Sequence, residues 1–493
     1  MRQLSITADD LVSALLRLSE KEPVCLLDSC RVGHLNSHLL IAGIEPVATY
    51  EITNDDPLET LRLLDETLSG DLAAIFTISY EFGQKLLGLK GRKNKFATSL
   101  EPDLFVALFD TLIVHDYNSG ETNLVGNHEK FDSIREMLTQ KRAHYTSPHE
   151  VREPINAESA LTSCGLLHVT SNFTKKEYLA AIETIKERIR DGDTYQTNLT
   201  QQLTVTLPDS HSPAFVFKRL RRDHPAPFAA FIKRSNSVVV SASPERFFRV
   251  VNSPREHTGG LGSDKPVRSP HVSKGYRHII STSPIKGTRR RGINEKDDHH
   301  LRNDLLNSIK DRAENTMIVD LLRNDLGRVC EFGSVRVEKL CDLEEHPTLF
   351  HLVSTISGEL RDRVRFSDIL SAVFPCGSIT GAPKISTMMI IDELETEYRG
   401  LSMGAIGYYV PSSTSQVPSR PFSWDMGHGT LDSLGLGTLD LSVAIRTMVI
   451  SDNVAGFNVG GGITIDSDPE MEYDETLLKA KALLNALGYT GTI

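Results

Sequence analysis

Four acids at one spacing offer the first chemistry in this chain. Asp311 and Glu314 in DRAENTMIVDLLRND stand three residues apart, as do Glu472 and Glu475 in EMEYDETLLKAKALLNAL. Residues three apart share a helix face. Each helix could therefore aim two carboxylates at one point, and hard oxygen ligands suit Mg2+. Spacing alone favours the plainer reading, two solvated acidic faces. Lys286, in SPIKGTRRRG, is a second candidate. A lysine becomes a nucleophile when desolvation or nearby cations depress its pKa, and Arg289, Arg290 and Arg291 follow it. A solvated loop lysine, an ion-pair partner and part of a basic patch fit equally.

Other residues stand out by context. Glu245 in SASPERF, His351 in FHLVSTISGEL and Arg446 in LSVAIRTMVI lie in apolar, strand-like runs. Charge there costs free energy unless paired, and a structural salt bridge would satisfy both the acid and the arginine. Gly460, Gly461 and Gly462 follow a strand-like run in NVGGGITIDSDPE. Glycines let a backbone approach a ligand and turn its amides toward an anion, although a plain loop is the commoner meaning. In PCGSITGAPK, Pro383 fits the first position of a helix. The small residues before it would leave helix-end amides open to an anion, and an ordinary helix start fits as well. Cys376 beside them reads as a buried, inert thiol.

The elements that must position these residues alternate without a simple repeat, which argues an α/β or α+β fold. TKKE at Thr174–Glu177 is a capping box. Tyr178, Ile182, Ile185 and Ile189 then share one helical face, and Gly192 ends the helix. Strands are expected over TYQTNLTQQLTV, APFAAFIK and SVVVSASPERFFRVV, and earlier over AAIFTISYEFG and DLFVALFDTLIVHDY. Helices are expected over 311–326, 383–396 and 474–487. A polar, weakly patterned stretch from Gly126 to Leu167 reads as a linker. NSPREHTGGLGSDKPVRSPHVSKG and PSSTSQVPSRPFSWDMGHGTLDSLGLGT, the latter with Trp424, read as mobile insertions off the core.

The bulk numbers narrow the class. The chain has 493 residues, 39% of them hydrophobic and 24% charged, enough for a large core. A net charge of −11 argues against nucleic-acid binding. No apolar run approaches the roughly 18 residues of a membrane span, and the N-terminus does not read as a signal peptide. Six scattered cysteines without a C-x-x-C pair suggest reduced thiols in the cytoplasm.

Taken together and in order, DGDTYQTNLTQ, SASPERF, SPIKGTRRRG, AENTMIVDLLRNDLGRV, FHLVSTISGEL, GSITGAPK, MGAIGYY, DLSVAIRT and GGGITIDSDPEMEYDET resemble the chorismate-utilising enzymes. LLDS and SYEFG resemble, more loosely, the N-terminal domain shared by aminodeoxychorismate and anthranilate synthases. The resemblance implies an α+β fold with a two-sheet core and helices outside. It divides the chain into an N-terminal domain over 1–150 and a chorismate-binding catalytic domain over 165–493.

The same resemblance implies roles. Asp311, Glu314, Glu472 and Glu475 match the acids that hold Mg2+, which holds the ring carboxylate of chorismate. Amides of Gly460, Gly461 and Gly462 would support that carboxylate, and Arg446 and Tyr408 the enolpyruvyl carboxylate. Glu245 matches the general acid for the departing C4 hydroxyl, and needs a raised pKa to hold its proton. His351 and Ser378 match positions near that hydroxyl. Water-adding relatives carry a lysine base where this chain has Gln196, and glutamine cannot take a proton from water. Anthranilate synthases resemble PIAGT where this chain reads PIKGT. In the branch that shares the lysine, Lys286 is implied to attack C2, and ammonia then yields 4-amino-4-deoxychorismate, a precursor of 4-aminobenzoate and folate. The sequence has no G-x-C-x-G nucleophile motif, so a separate glutamine amidotransferase subunit is expected to supply ammonia. Two departures, His224 and Phe228 in HPAPFAAF, tell against feedback by tryptophan; a third puts Cys376 where the family has alanine.

Overall fold

The capping box at Thr174 forms in the computed structural model. Glu177 N–H donates to Thr174 Oγ1 at 3.3 Å and Thr174 N–H to Glu177 Oε2 at 2.8 Å. Helix Lys175–Arg190 follows, with Tyr178, Ile182 and Ile185 buried, and Gly192 beyond it has φ +85°. The structure describes residues 1–33, 37–89, 101–140, 168–254, 276–345, 349–411, 437–489 and 491. Most of both expected insertions, Trp424 included, lies outside the described residues.

Three of the expected long strands are broken by a corner. SVVVSASPERFFRVV forms Val238–Ser243 in one sheet and Arg246–Pro254 in the other. DLFVALFDTLIVHDY breaks at Asp110 into Leu104–Phe109 and Thr111–Asp116. DLSVAIRTMVI breaks between Thr438–Val443 and Thr447–Ser451. At each corner the chain crosses from sheet to sheet. Glu245 and Arg446 therefore sit at corners, not inside strands, and the corner at Arg446 has φ +48°.

Among the described residues, one sheet has twelve strands and the other ten, with antiparallel pairing between neighbours. Both sheets take strands from before and after the stretch read as a linker. Val24–Asp28 pairs with Phe228–Lys233 in the first, and Ala73–Ile78 with Ala405–Val410 in the second. The near end of that stretch is helical: Phe131–Thr139 buries Phe131, Ile134 and Leu138. A middle layer of Ile41, Phe105, Val114, Ile232, Ile406 and neighbours joins the inner faces of the sheets. Helices cover the outer faces. Helices Ala8–Leu18, Pro213–Asp223 and Pro469–Leu487 pack on the twelve-stranded sheet. Pro57–Thr67, Ile309–Gly327 and Phe366–Val373 pack on the other. This is the expected α+β, two-sheet architecture. Among the described residues, no helix is long and apolar enough to cross a membrane.

Candidate active site

Lys286 lies on the strand Ile285–Arg290, and its ammonium reaches the backbone oxygen of Ser378 at 3.4 Å. Ser378 sits in the short 3-10 turn Gly377–Ile379 before Gly381–Ala382. The same residue touches Glu245, whose carboxyl accepts from the Ser378 hydroxyl and from the Ile285 backbone N–H. Burial pushes Glu245 up to about 7, against the opposing pull of Ser378, Lys286 and Ile285. Its Oε1 has no hydrogen-bond partner among the described residues. Cys376 is buried, its Sγ 3.3 Å from Ser378 Oγ, and burial pushes its thiol up to about 12. It is inert, as expected. His351, buried on Leu349–Glu359, shares a 2.9 Å hydrogen bond with Thr288, two residues past Lys286.

The three arginines after Lys286 have a different job. Arg289 pairs with Asp304 at 2.7 Å and Asp311 at 3.1 Å, Arg290 with Asp297 at 2.9 Å, and Arg291 with Asp298 at 2.6 Å. Arg291 also stacks on Phe350, 4.5 Å from the ring centroid. Asp297, Asp298 and Asp304 all lie on helix Glu295–Asn307, which buries a single residue, Leu305. The arginines fasten that helix over the lysine strand.

The four acids stand on two helices. Ile309–Gly327 brings Asp311 and Glu314, and Pro469–Leu487 brings Glu472 and Glu475. Charge links them across the gap. Burial raises Glu314, with Lys286 and Lys310 opposing and Asp311 and Glu472 reinforcing. Burial also works to raise Glu475, but Lys479, Lys310 and Lys286 hold it below the usual carboxylate range. An all-carboxylate donor set fits a hard divalent cation. As they stand, three of the four acids hold cations of this chain: Asp311 holds Arg289, Glu472 holds Lys310 at 3.2 Å and Glu475 holds Lys479 at 2.9 Å. No three His, Cys, Asp or Glu side chains among the described residues converge as metal ligands. Lys310 and Lys479 escaped the sequence reading. Lys479 was legible in hindsight, four residues after Glu475, the spacing of a helical ion pair.

The glycines lie within the strand Val454–Ile463, not a loop. They pair with Gln196–Thr206 along one edge, Gly462 opposite Asn198 and Gly460 opposite Thr200. Thr447–Ser451 pairs along the other edge only as far as Gly456. Beyond it no strand pairs on that edge among the described residues; Asn458 N–H donates to Ser402 Oγ at 3.2 Å, and Lys479 donates to the Gly460 oxygen at 3.0 Å. A Cβ on Gly462 would stand 2.0 Å from Gln196 Nε2, so the glutamine amide nitrogen abuts that glycine. A Cβ on Gly461 would point the other way, 3.4 Å from Glu472 Oε2. Gln196 is buried and its Oε1 has no partner among the described residues.

Neither Tyr408 nor Arg446 shares a hydrogen bond with Lys286 among the described residues. Tyr408 lines a cavity of about 70 Å3 with Asp28, His38, Phe228, Arg249 and Asp440. Its hydroxyl makes no hydrogen bond among the described residues, and burial pushes it up to about 12, with Asp440 reinforcing. Arg446 lies near His224, whose titration its charge depresses after burial. Its guanidinium has no ion pair or hydrogen bond among the described residues, and desolvation alone lowers it. Pro383 precedes helix Lys384–Leu394 in an extended conformation, one residue earlier than expected. Lys384 is tied to Asp325 at 2.7 Å.

A nucleophile candidate, a buried acid, a pair of acidic helices and an open glycine edge invite comparison with known proteins. A family model described as chorismate binding enzyme matches residues 22–255, 272–420 and 428–485. The chain is 32% identical over 496 residues to aminodeoxychorismate synthase component 1 of Escherichia coli, covering 96% of this chain and 94% of that protein. It is 31% identical over 507 residues to anthranilate synthase component 1 of Lactococcus lactis, covering 98% and 99%. Anthranilate synthase component I of Streptococcus pneumoniae, a crystal structure, superposes with a TM-score of 0.69 at 26% identity, covering 90% of this chain and 92% of that one. The chain belongs to the chorismate binding enzymes.

Proposed function

We propose that the chain converts chorismate and ammonia to 4-amino-4-deoxychorismate, as component 1 of an aminodeoxychorismate synthase feeding 4-aminobenzoate and folate. Relatives of both amine-forming kinds match about equally, so overall identity does not choose between them. What supports the choice is Lys286 itself, bonded to Ser378 and in the field of buried Glu245.

In this reading Lys286 Nζ, as the neutral amine, attacks C2 of chorismate and forms a C–N bond. Both ring double bonds shift and the C4 hydroxyl leaves as water, protonated by Glu245. Ammonia then attacks C4, both double bonds return, and Lys286 is expelled from C2. Arg446 meets the enolpyruvyl carboxylate. Lys479 and the open edge at Gly460 meet the ring carboxylate, and His351 and Ser378 flank the C4 oxygen. Gln196 lies where a base for water would be needed, and its amide cannot serve. Asp311, Glu314, Glu472 and Glu475 would hold Mg2+, which would supply positive charge for the ring carboxylate. The proposed source of ammonia is a separate glutamine amidotransferase subunit, and the proposed setting is the cytoplasm.

The test is the product. Incubation with chorismate, Mg2+ and ammonium should give aminodeoxychorismate by mass, with Lys286→Ala slower by at least about 100-fold. Fluorescent anthranilate in place of that product would overturn the reading. An unchanged rate in Lys286→Ala would remove the covalent step.

A further inference from the structure

Lys310 stands between the two acidic helices. It occupies the first turn of Ile309–Gly327, directly before Asp311, and bonds Glu472 of the facing helix at 3.2 Å. Glu314 and Glu475 are the other carboxylates whose charge reaches it. Without a cation, the two helix starts would bring like charges together. We propose that Lys310 is a built-in counter-ion that competes with a divalent cation for these carboxylates, and so sets how tightly the site takes metal. This inference rests on the metal reading above.

Three features single out Lys310 among the cations on these acids. Glu472 is buried, and its Oε1 already accepts from Ser467 at 2.7 Å, so a metal reaching that oxygen must displace the ammonium. The Lys310 side chain is 50% exposed, so its ammonium can swing out into water. The alternatives are held harder. Lys479 is bonded to Gly460 O as well as to Glu475, and Arg289 is shared between Asp304 and Asp311. Metal entry at this site is therefore an exchange of one tethered charge for a free one.

The test compares wild type with Lys310→Met and Lys310→Arg, using Mg2+ alone as probe. Calorimetric titration should show Lys310→Met binding Mg2+ roughly tenfold tighter, since a repelling charge has gone, with Lys310→Arg close to wild type. In EDTA, Lys310→Met should melt below wild type, and Mg2+ should raise its melting temperature by more. If Lys310→Met keeps a native circular dichroism spectrum but binds Mg2+ no tighter than wild type, the inference is overturned while the metal reading stands. If neither protein binds Mg2+, the metal reading falls and this inference with it.

Discussion

Glu245 concentrates the chemistry of the site in one carboxyl. It caps a sheet-crossing corner, has one oxygen without a partner among the described residues, and is pushed by burial up to about 7. In the proposed role of general acid it must hold its proton, so turnover should fall as pH rises through about 7. The same elevation acts on stability with a fixed sign. The folded carboxyl binds a proton more tightly than the unfolded one, so stability falls between its ordinary 4.5 and about 7, then levels off. Glu245→Gln should lose about 100-fold in rate and flatten the alkaline limb. It should also melt a few degrees above wild type at pH 8, but not at pH 4.5. Activity profiles and melts across that range check both halves. An alkaline limb that survives in Glu245→Gln would assign the proton elsewhere.

At the level of elements, helix Glu295–Asn307 is held over the lysine strand by three arginine–aspartate pairs and a small apolar contact through Leu305. Pairs this exposed are screened by salt. Arg291→Ala should speed hydrogen exchange across 295–307 several-fold, and salt should do the same to wild type. Exchange in 309–327 should stay slow. Uniform change across both helices would contradict a local fastening. The sequence foretold much of this level and misread some of it. Helix Lys175–Arg190 was legible because its cap and apolar face are local. The corners were not: a run of alternating apolar residues keeps its pattern while crossing between sheets, and Pro244 alone marked one break. The glycine triplet looked like a loop because strand pairing is a long-range fact. The partners of the arginines were likewise invisible, although they lie only 7–22 residues downstream. The acid spacing was read from the chain itself, but the roles of Lys286 and Glu245 came through family resemblance. Local pattern left each as one lysine and one acid among many.

Across the whole molecule, the early and late parts of the chain are sewn together by charge as well as by strands. Arg399 is fully buried. It is paired with Glu395 at 2.8 Å, bonded to Ile379 O and Asn198 O, and stacked 4.5 Å over Tyr80. Its backbone N–H reaches Glu81. Arg221 with Asp28, and Arg234 with Glu101, bridge the same divide. A chain so joined should unfold in a single calorimetric transition. Arg399→Met leaves Glu395 buried without its partner and should cost about 3–5 kcal/mol. That loss should lower the one transition rather than split it. Two resolved transitions in wild type would contradict the shared architecture.

Arg446 carries a consequence for how this protein will behave in hand. Arg446 is half-buried, its guanidinium partly desolvated and without a counter-charge among the described residues, on a backbone turned to φ +48°, and both features cost stability. In the proposed role, a substrate carboxylate pairing with this guanidinium would offset that cost. Arg446→Leu should therefore melt higher than wild type when empty. Chorismate should raise the melting temperature of wild type and leave the variant unmoved. A more robust protein would here be a deafer one.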